Sequence, residues 1–584
     1  MRVTRRIIPA FLLTLYLSGA APAPAKKAPL TAEQRAARSI LKSLSLRDRV
    51  AQLVIGVAYG DTPGTKSREY ETFRHWVKDL KLGGLIVNNR VQHGLVRYAE
   101  PHTMALFLNQ MQRLAKTPLI VGGDFERGAS MRVSGTTKFP YSMSYAAARD
   151  VDGSRHEGLL TAREARALGV HWVFAPVADV NNNPDNPVIN IRSFGEDPEL
   201  VAAHVAAYID GAHSDPKNPV LVTAKHFPGH GDTNIDSHFD LARLEANRDR
   251  IEALELAPFR AAIAHGVDSI MTAHMTVPAF EPGEIPATVS RRVLTGLLRE
   301  ELRFTGLVVT DAMDMLGLAK QFSNGEAAVR AIEAGADVLL MPADPEAAIR
   351  AIVAAIGRGR ISAQRIDQSA QRVLEAKVRV GLFKRKIVDL DSIRDALDAS
   401  DDGAHAQSLA DRAVTLVRNE GNVIPLAAGD RLCVTASVGV RLSSFGQRMV
   451  DEFRKRAPAA KLMFVDNTLP EAALDAILGD PSQCSAIVFA TFTTNSALNG
   501  SLAPFLQRLT EGSVPVVLVS FGNPYLLKAF PKVAAYVAAF GPTPPAEVAV
   551  VKALLGEIAI TGKLPVTIPG FAQYGDGIQL NKRN

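Results

Sequence analysis

The sequence predicts an α/β protein: a (β/α)8 TIM-type barrel followed by a smaller doubly wound α/β/α sandwich domain. Three observations predict it. Short, nearly continuous apolar runs alternate with amphipathic stretches from about residue 30 to 382, the pattern of parallel strands covered on both faces by helices. Eight such runs fall in that span, the number that closes a barrel. The residues with chemical character, Asp124, Asp179, Lys225, His226, His274 and Asp311, each stand just after a run. In a barrel those strand ends share one face, where catalysis is built.

The barrel strands are read at 52–57, 83–87, 119–123, 172–177, 220–224, 269–272, 306–310 and 336–341. Their shortness and Val/Ile/Leu content mark strands rather than helices. Helices are read at 104–114, 156–168, 198–213, 251–265, 291–302 and 325–334, where apolar residues recur three and four apart. Residues 384–411 turn charged, carry Asp401-Asp402-Gly403 and lack a strand, which reads as a helical linker. A second unit follows, with strands at 432–436, 462–465, 486–490, 514–520 and 534–539 and a late edge strand near 565–568. The expected segments are 1–25, a signal peptide; 26–385, the barrel; 386–407, the linker; and 408–584, the sandwich. No glycine-rich phosphate loop follows any strand of the second unit, which argues against a nucleotide domain.

Composition sets the class. The chain has 584 residues, 47% of them hydrophobic and 22% charged, which excludes a disordered chain, a collagen and a coiled coil. Its net charge of +6 includes Arg2, Arg5 and Arg6, and the balance is +3 without them. No dense basic stripe accompanies that charge, so no nucleic-acid partner is expected. The N-terminus reads as a basic region, an apolar run and an A-x-A site at Ala21–Ala23 or Ala23–Ala25, the order of a secretory signal. No cysteine follows it and no later apolar run reaches 18 residues. The expected product is exported, periplasmic or secreted, and not membrane-bound after processing. Cys433 and Cys484 are too few for a disulfide framework. On neighbouring buried strands they are expected more often as free thiols, and the sequence leaves their pairing open, as it does the oligomeric state.

The densest chemistry is A-K-H-F-P-G-H-G-D-T-N-I-D-S-H-F-D, residues 224–240. Pro228, Gly229 and Gly231 make it a loop. Three readings compete. A metal site would use His226 and His230 with Asp232, Asp236 or His238, but the glycine and proline break the helix that would align two histidines. A hydrolase triad would use Ser237, but it lies between Asp236 and His238 and its side chain diverges from both. A general acid/base dyad would use Asp236 and His238, which two-residue spacing puts on one side of an extended loop. The second site is G-L-V-V-T-D-A-M-D-M, where Asp311 follows an apolar strand and suits a nucleophile; Asp314 fits a solvated position. Asp124, Arg132, Arg192, Lys225 and His226 supply the directional, charged hydrogen bonds that sugar hydroxyls require. Glu126, Arg127 and Asp197 read as ordinary ion-pairing or surface residues.

These residues resemble glycoside hydrolase family 3, and within it the bacterial β-N-acetylglucosaminidases. The resemblance spans most of the chain, including V-T-L-V-R-N-E-G-N-V-I-P-L at 414–426, and its most specific element is K-H-F-P-G-H-G-D-T-x-x-D-S-H. It implies His238 as acid/base assisted by Asp236, Asp311 as nucleophile, and Asp124, Arg132, Arg192, Lys225 and His226 as sugar contacts. It implies a retaining exo-glycosidase that releases terminal β-linked N-acetylglucosamine from wall- or chitin-derived saccharides, with no metal or organic cofactor. Phosphorolysis, β-glucosidase activity and a sugar-binding scaffold are the alternatives. One departure stands out: where the family commonly reads D-x-E-G-G-R-V, this chain has D-F-E-R-G-A-S-M-R, with Arg127 and Ala129 in place of common residues.

Overall fold

The computed structural model describes residues 30–93, 95–397, 400–438 and 444–583. The segment read as a signal peptide lies outside them. Among the described residues, eight strands form one sheet: β1 (Val54–Ala58), β2 (Gly84–Val87), β3 (Ile120–Gly123), β4 (Trp172–Val173), β5 (Leu221–Phe227), β6 (Ser269–Thr272), β7 (Leu307–Thr310) and β8 (Leu339–Leu340). Their order is β7-β6-β5-β4-β3-β2-β1-β8 and every pairing is parallel. A bridge between Val309 and Val338 joins the two ends and closes the barrel.

The strands are apolar because both their faces are dry. All four residues of β6 and of β7 are buried. Inside the barrel, the Trp172 indole N–H lies 2.8 Å from Thr223 Oγ1 and 2.9 Å from Ser269 Oγ, so the core's few polar atoms satisfy one another. Gly84 lets β2 and β3 approach: a Cβ there would stand 2.0 Å from the Ile120 carbonyl oxygen. Two buried carboxylates stand at strand starts rather than strand ends. Asp268 holds Arg379 and His213, and Asp337 holds Arg299, Arg365 and Arg372. They lie at the end of the barrel opposite the strand C-termini, where fixed ion pairs serve stability.

The second sheet comprises β9 (Thr415–Asn419), β10 (Leu432–Val438), β11 (Lys461–Asp466), β12 (Ala486–Thr491), β13 (Val516–Ser520) and β14 (Ala535–Ala538). Its order is β9-β14-β13-β12-β10-β11. One face buries Phe489, Leu518 and Tyr536, and the other buries Val488, Val519 and Val537, which is the two-sided covering of a doubly wound sheet. The edge differs from expectation. It is β9, antiparallel to β14, while the stretch near 565–568 forms no strand. Pro565 and Thr567 turn to the barrel instead, while Ile568 bonds locally with Ala572: Glu196 N–H donates to the Pro565 carbonyl at 3.0 Å, and the Glu196 carboxylate accepts from Thr567 N and Oγ1 at 2.7 and 2.6 Å. Backbone groups spent there are not available for a ladder.

Cys433 and Cys484 are joined in a disulfide, against the expectation of free thiols. The register that sets Cys433 opposite Ile487 brings Cys484, two residues before β12, within a Cα–Cα distance of 5.6 Å, inside the bridging range. The sandwich also braces the loop after β4: Asn181 donates to Tyr525 Oη at 3.1 Å and Asn190 to the Thr494 carbonyl at 3.4 Å. Among the described residues, no helix is long and apolar enough to cross a membrane.

Candidate active site

The C-terminal ends of the barrel strands carry the site. Asp124 follows β3, Asp179 and Arg192 lie in the connection after β4, Lys225 and His226 are among the last three residues of β5, and Asp311 follows β7. Asp124 Oδ1 accepts from Lys225 Nζ at 2.9 Å and Oδ2 from Arg132 at 3.0 Å. Glu126 holds Arg192 through paired bonds of 2.9 and 2.7 Å and also takes Lys225 at 2.7 Å. His226 stands between Arg192 Nη2, 3.3 Å from its Nε2, and Asp179 Oδ2, 2.7 Å from its Nδ1. A guanidinium only donates and a carboxylate only accepts, so the proton is on Nδ1 and Nε2 is an acceptor. All five predicted sugar contacts thus fall in one network.

Glu126 is the residue the sequence reading set aside and the structure restores. It is not a surface ion pair; its side chain is 7% exposed and it clamps two of the five contacts. Nothing in its own neighbourhood marks it, because Arg192 lies 66 positions away. Arg127 is likewise inside: its guanidinium lies over the Tyr141 ring, and both line a cavity of about 120 Å³ with Glu126 and Arg192. Asp197 caps the helix Pro198–His213, accepting from Glu199 and Leu200 N–H, and stays structural. Asp232 pairs with Arg250 and does not join the site.

Electrostatics hold the carboxylates ionised. Burial pushes Asp124 up, but Lys225 and Arg132 overcome it and leave its pKa below the ordinary value. Burial likewise raises Asp311, and its interactions with His226 and His274, the Ala312 N–H bond and the Lys225 charge together bring it below the usual range. The Ala312 N–H donates to Asp311 Oδ1 at 2.8 Å. Behind it, His274 Nε2–H donates to the Ala312 carbonyl at 2.9 Å and its Nδ1 faces Thr288 Oγ1 at 2.8 Å. His274 therefore fixes the backbone that carries Asp311. Asp314 is exposed, as expected, and partial desolvation by the surrounding protein, with the nearby Asp311 charge, pushes its pKa up.

The loop after β5 presents the dyad. Asp236 Oδ1 accepts from the His238 backbone N–H at 2.9 Å and from Nδ1–H at 2.7 Å. That hydrogen bond raises the His238 pKa above its ordinary value, partly opposed by burial and assisted by the Asp236 charge and by Asp311. The pair leaves Nε2 to exchange a proton with a ligand. His230 is not a partner in chemistry. It is buried, burial pushes its pKa down to about 4, and its Nε2 and Nδ1 meet Ser237 Oγ at 2.9 Å and Thr233 Oγ1 at 2.8 Å. It props the loop, and Ser237 is spent on it rather than exposed as a nucleophile. His226 and His230 turn to different partners, and among the described residues no three His, Cys, Asp or Glu side chains gather as metal ligands.

Both the sequence and the fold match known proteins. Residues 45–376 match the glycosyl hydrolase family 3 N terminal domain. A beta-N-acetylglucosaminidase/beta-glucosidase of Cellulomonas fimi is 28% identical over 561 residues, 91% of this chain and 95% of that protein. The structure of a family 3 beta-N-acetylglucosaminidase from Paenibacillus superposes with a TM-score of 0.82 at 34% identity, covering 90% of this chain and 99% of that one. A beta-glucoside phosphorylase superposes with a TM-score of 0.81 at 24% identity, covering 92% and 97%, and shares the fold.

Proposed function

The chain belongs to glycosyl hydrolase family 3, and we propose that it is a retaining exo-β-N-acetylglucosaminidase with Asp311 as nucleophile and the His238–Asp236 dyad as acid/base. The observation that carries this reading is the 2.7 Å contact of His238 Nδ1 with Asp236 on the loop after β5, beside an ionised carboxylate at the end of β7. Asp311 attacks the anomeric carbon as the glycosidic C–O bond breaks, and the leaving oxygen takes its proton from His238 Nε2. Water then gives a proton to neutral His238 and attacks the same carbon, releasing Asp311 as a carboxylate and restoring the starting stereochemistry. Imidazole, with an unperturbed pKa near ~6.5, serves as donor and acceptor around neutral pH. The Asp124, Arg132, Arg192, Lys225 and His226 network holds the hydroxyls of the terminal sugar.

Two relatives named for N-acetylglucosamine support that sugar. We further propose export and a wall- or chitin-derived substrate, supported by the N-terminal pattern and by the Cys433–Cys484 disulfide, which suits an oxidising compartment. The test is release of 4-nitrophenol from its β-N-acetylglucosaminide and β-glucoside, with and without phosphate. Turnover of the first alone, indifferent to phosphate, supports the reading. Turnover of the glucoside alone overturns the sugar assignment, and acceleration by phosphate makes the enzyme a phosphorylase.

A further inference from the structure

We propose that Phe239, with Ile235 and Leu316, forms the aglycone platform of this site and selects leaving groups with an apolar face, such as a second pyranose ring. The inference rests on the reading of His238 as the acid and deepens it. Phe239 directly follows His238, and its 68% exposure is the largest for a large hydrophobic side chain among the described residues. Single exposed apolar residues are ordinary, but here three stand on two short segments that hydrogen bonds join. Ile235 and Leu316 are 42% and 43% exposed. Leu316 N–H donates to the His238 carbonyl at 3.3 Å and Gly317 N–H to that of Ser237 at 3.2 Å. That junction is tight, since a Cβ at Gly317 would stand 2.8 Å from the Ser237 oxygen. The loop is also held from behind by the His230–Ser237 bond. The apolar trio is therefore presented on a fixed support.

The chemistry places the occupant. An acid that protonates the leaving oxygen has that oxygen at hydrogen-bond distance from its Nε2, so the first ring of the aglycone lies beside the residues flanking His238. A β-linked pyranose offers a patch of axial C–H groups, and an aromatic ring offers a matching flat apolar face. The nearby charges, Asp240 and Lys320, are paired with each other at 3.3 Å and do not call for a charged aglycone.

The test compares N,N′-diacetylchitobiose with N-acetyl-β-glucosaminyl fluoride, whose leaving group is one atom without a face. Phe239→Ala is expected to lower the chitobiose-to-fluoride ratio of kcat/KM by about 2–13-fold, the range for one aromatic contact, and Phe239→Tyr to restore it. An unchanged ratio in Phe239→Ala, whether both activities persist or fall together, overturns the platform. If the unaltered protein turns over neither substrate, the reading of the site itself fails, and the inference with it.

Discussion

Replacing Asp236 by asparagine keeps the shape of the dyad and removes its charge. The wild-type carboxylate oxygen serves both the His238 backbone N–H and Nδ1–H, and an amide oxygen retains such contacts with less strength. A hydrogen bond between charged partners is worth about 1.5–3 kcal/mol. The His238 side chain is 53% exposed, and solvent screening brings the loss down to about 1 kcal/mol, or roughly 5-fold in rate. The hydrogen bond that His238 donates to Asp236 is the largest influence raising the His238 pKa. Without its charge, the imidazolium loses its proton at lower pH, and the alkaline limb of kcat/KM moves to lower pH. The assay is kcat/KM against pH on a 4-nitrophenyl and on an alkyl β-N-acetylglucosaminide. The loss is expected to be larger for the alkyl leaving group, which depends more on protonation. An unmoved alkaline limb, or equal losses on both substrates, would refute the reasoning. Stability follows with opposite signs for the two partners. The raised His238 contributes below its unfolded value and loses that contribution as pH rises through its folded value. The lowered Asp236 contributes above its unfolded value and loses it as pH falls through its folded one. The melting penalty of Asp236→Asn is therefore expected to be greater at pH 5.5 than at pH 9, by calorimetry.

Asp311→Asn is expected to abolish turnover by on the order of a thousandfold or more, measured by product release under steady state, with the fold retained by circular dichroism. Glu126→Gln leaves Arg192 and Lys225 buried with one fewer charge between them, and is expected to cost about 3–5 kcal/mol in denaturant unfolding and to raise KM. Cys433→Ser opens a bridge spanning 51 residues, which is worth about 4 kcal/mol by loop closure. Its melting temperature is expected to fall and to become insensitive to reductant.

Much of the barrel was legible because its strands are dry on both faces. Residues 269–272 were read as a strand from four letters, and that strand is wholly buried. A carboxylate directly after such a run, as at Asp311, could be read because burial without a purpose is expensive. What failed to show were partners distant in sequence. Glu126 looks like any charged loop residue until Arg192 meets it, and Cys433 shows no preference for Cys484 until the pairing of β10 with β12 brings the two together. The stretch near 565–568 misled because alternating apolar residues next to prolines look the same whether their hydrogen bonds go to a ladder or to Glu196. At 415–419, where Leu416 and Val417 are adjacent and no alternation stands out, an edge strand does form, and tertiary contacts decide between the two.

The most direct test of the central claim is to trap the glycosyl-enzyme. A fluorinated N-acetylglucosaminyl fluoride that slows hydrolysis of the intermediate would be incubated with the full chain, and the protein mass and its peptides measured. The account predicts a gain of one sugar residue, localised to the peptide that contains Asp311 and absent in Asp311→Asn. A sugar bound to another carboxylate, or turnover that yields the inverted anomer with no adduct, would contradict it.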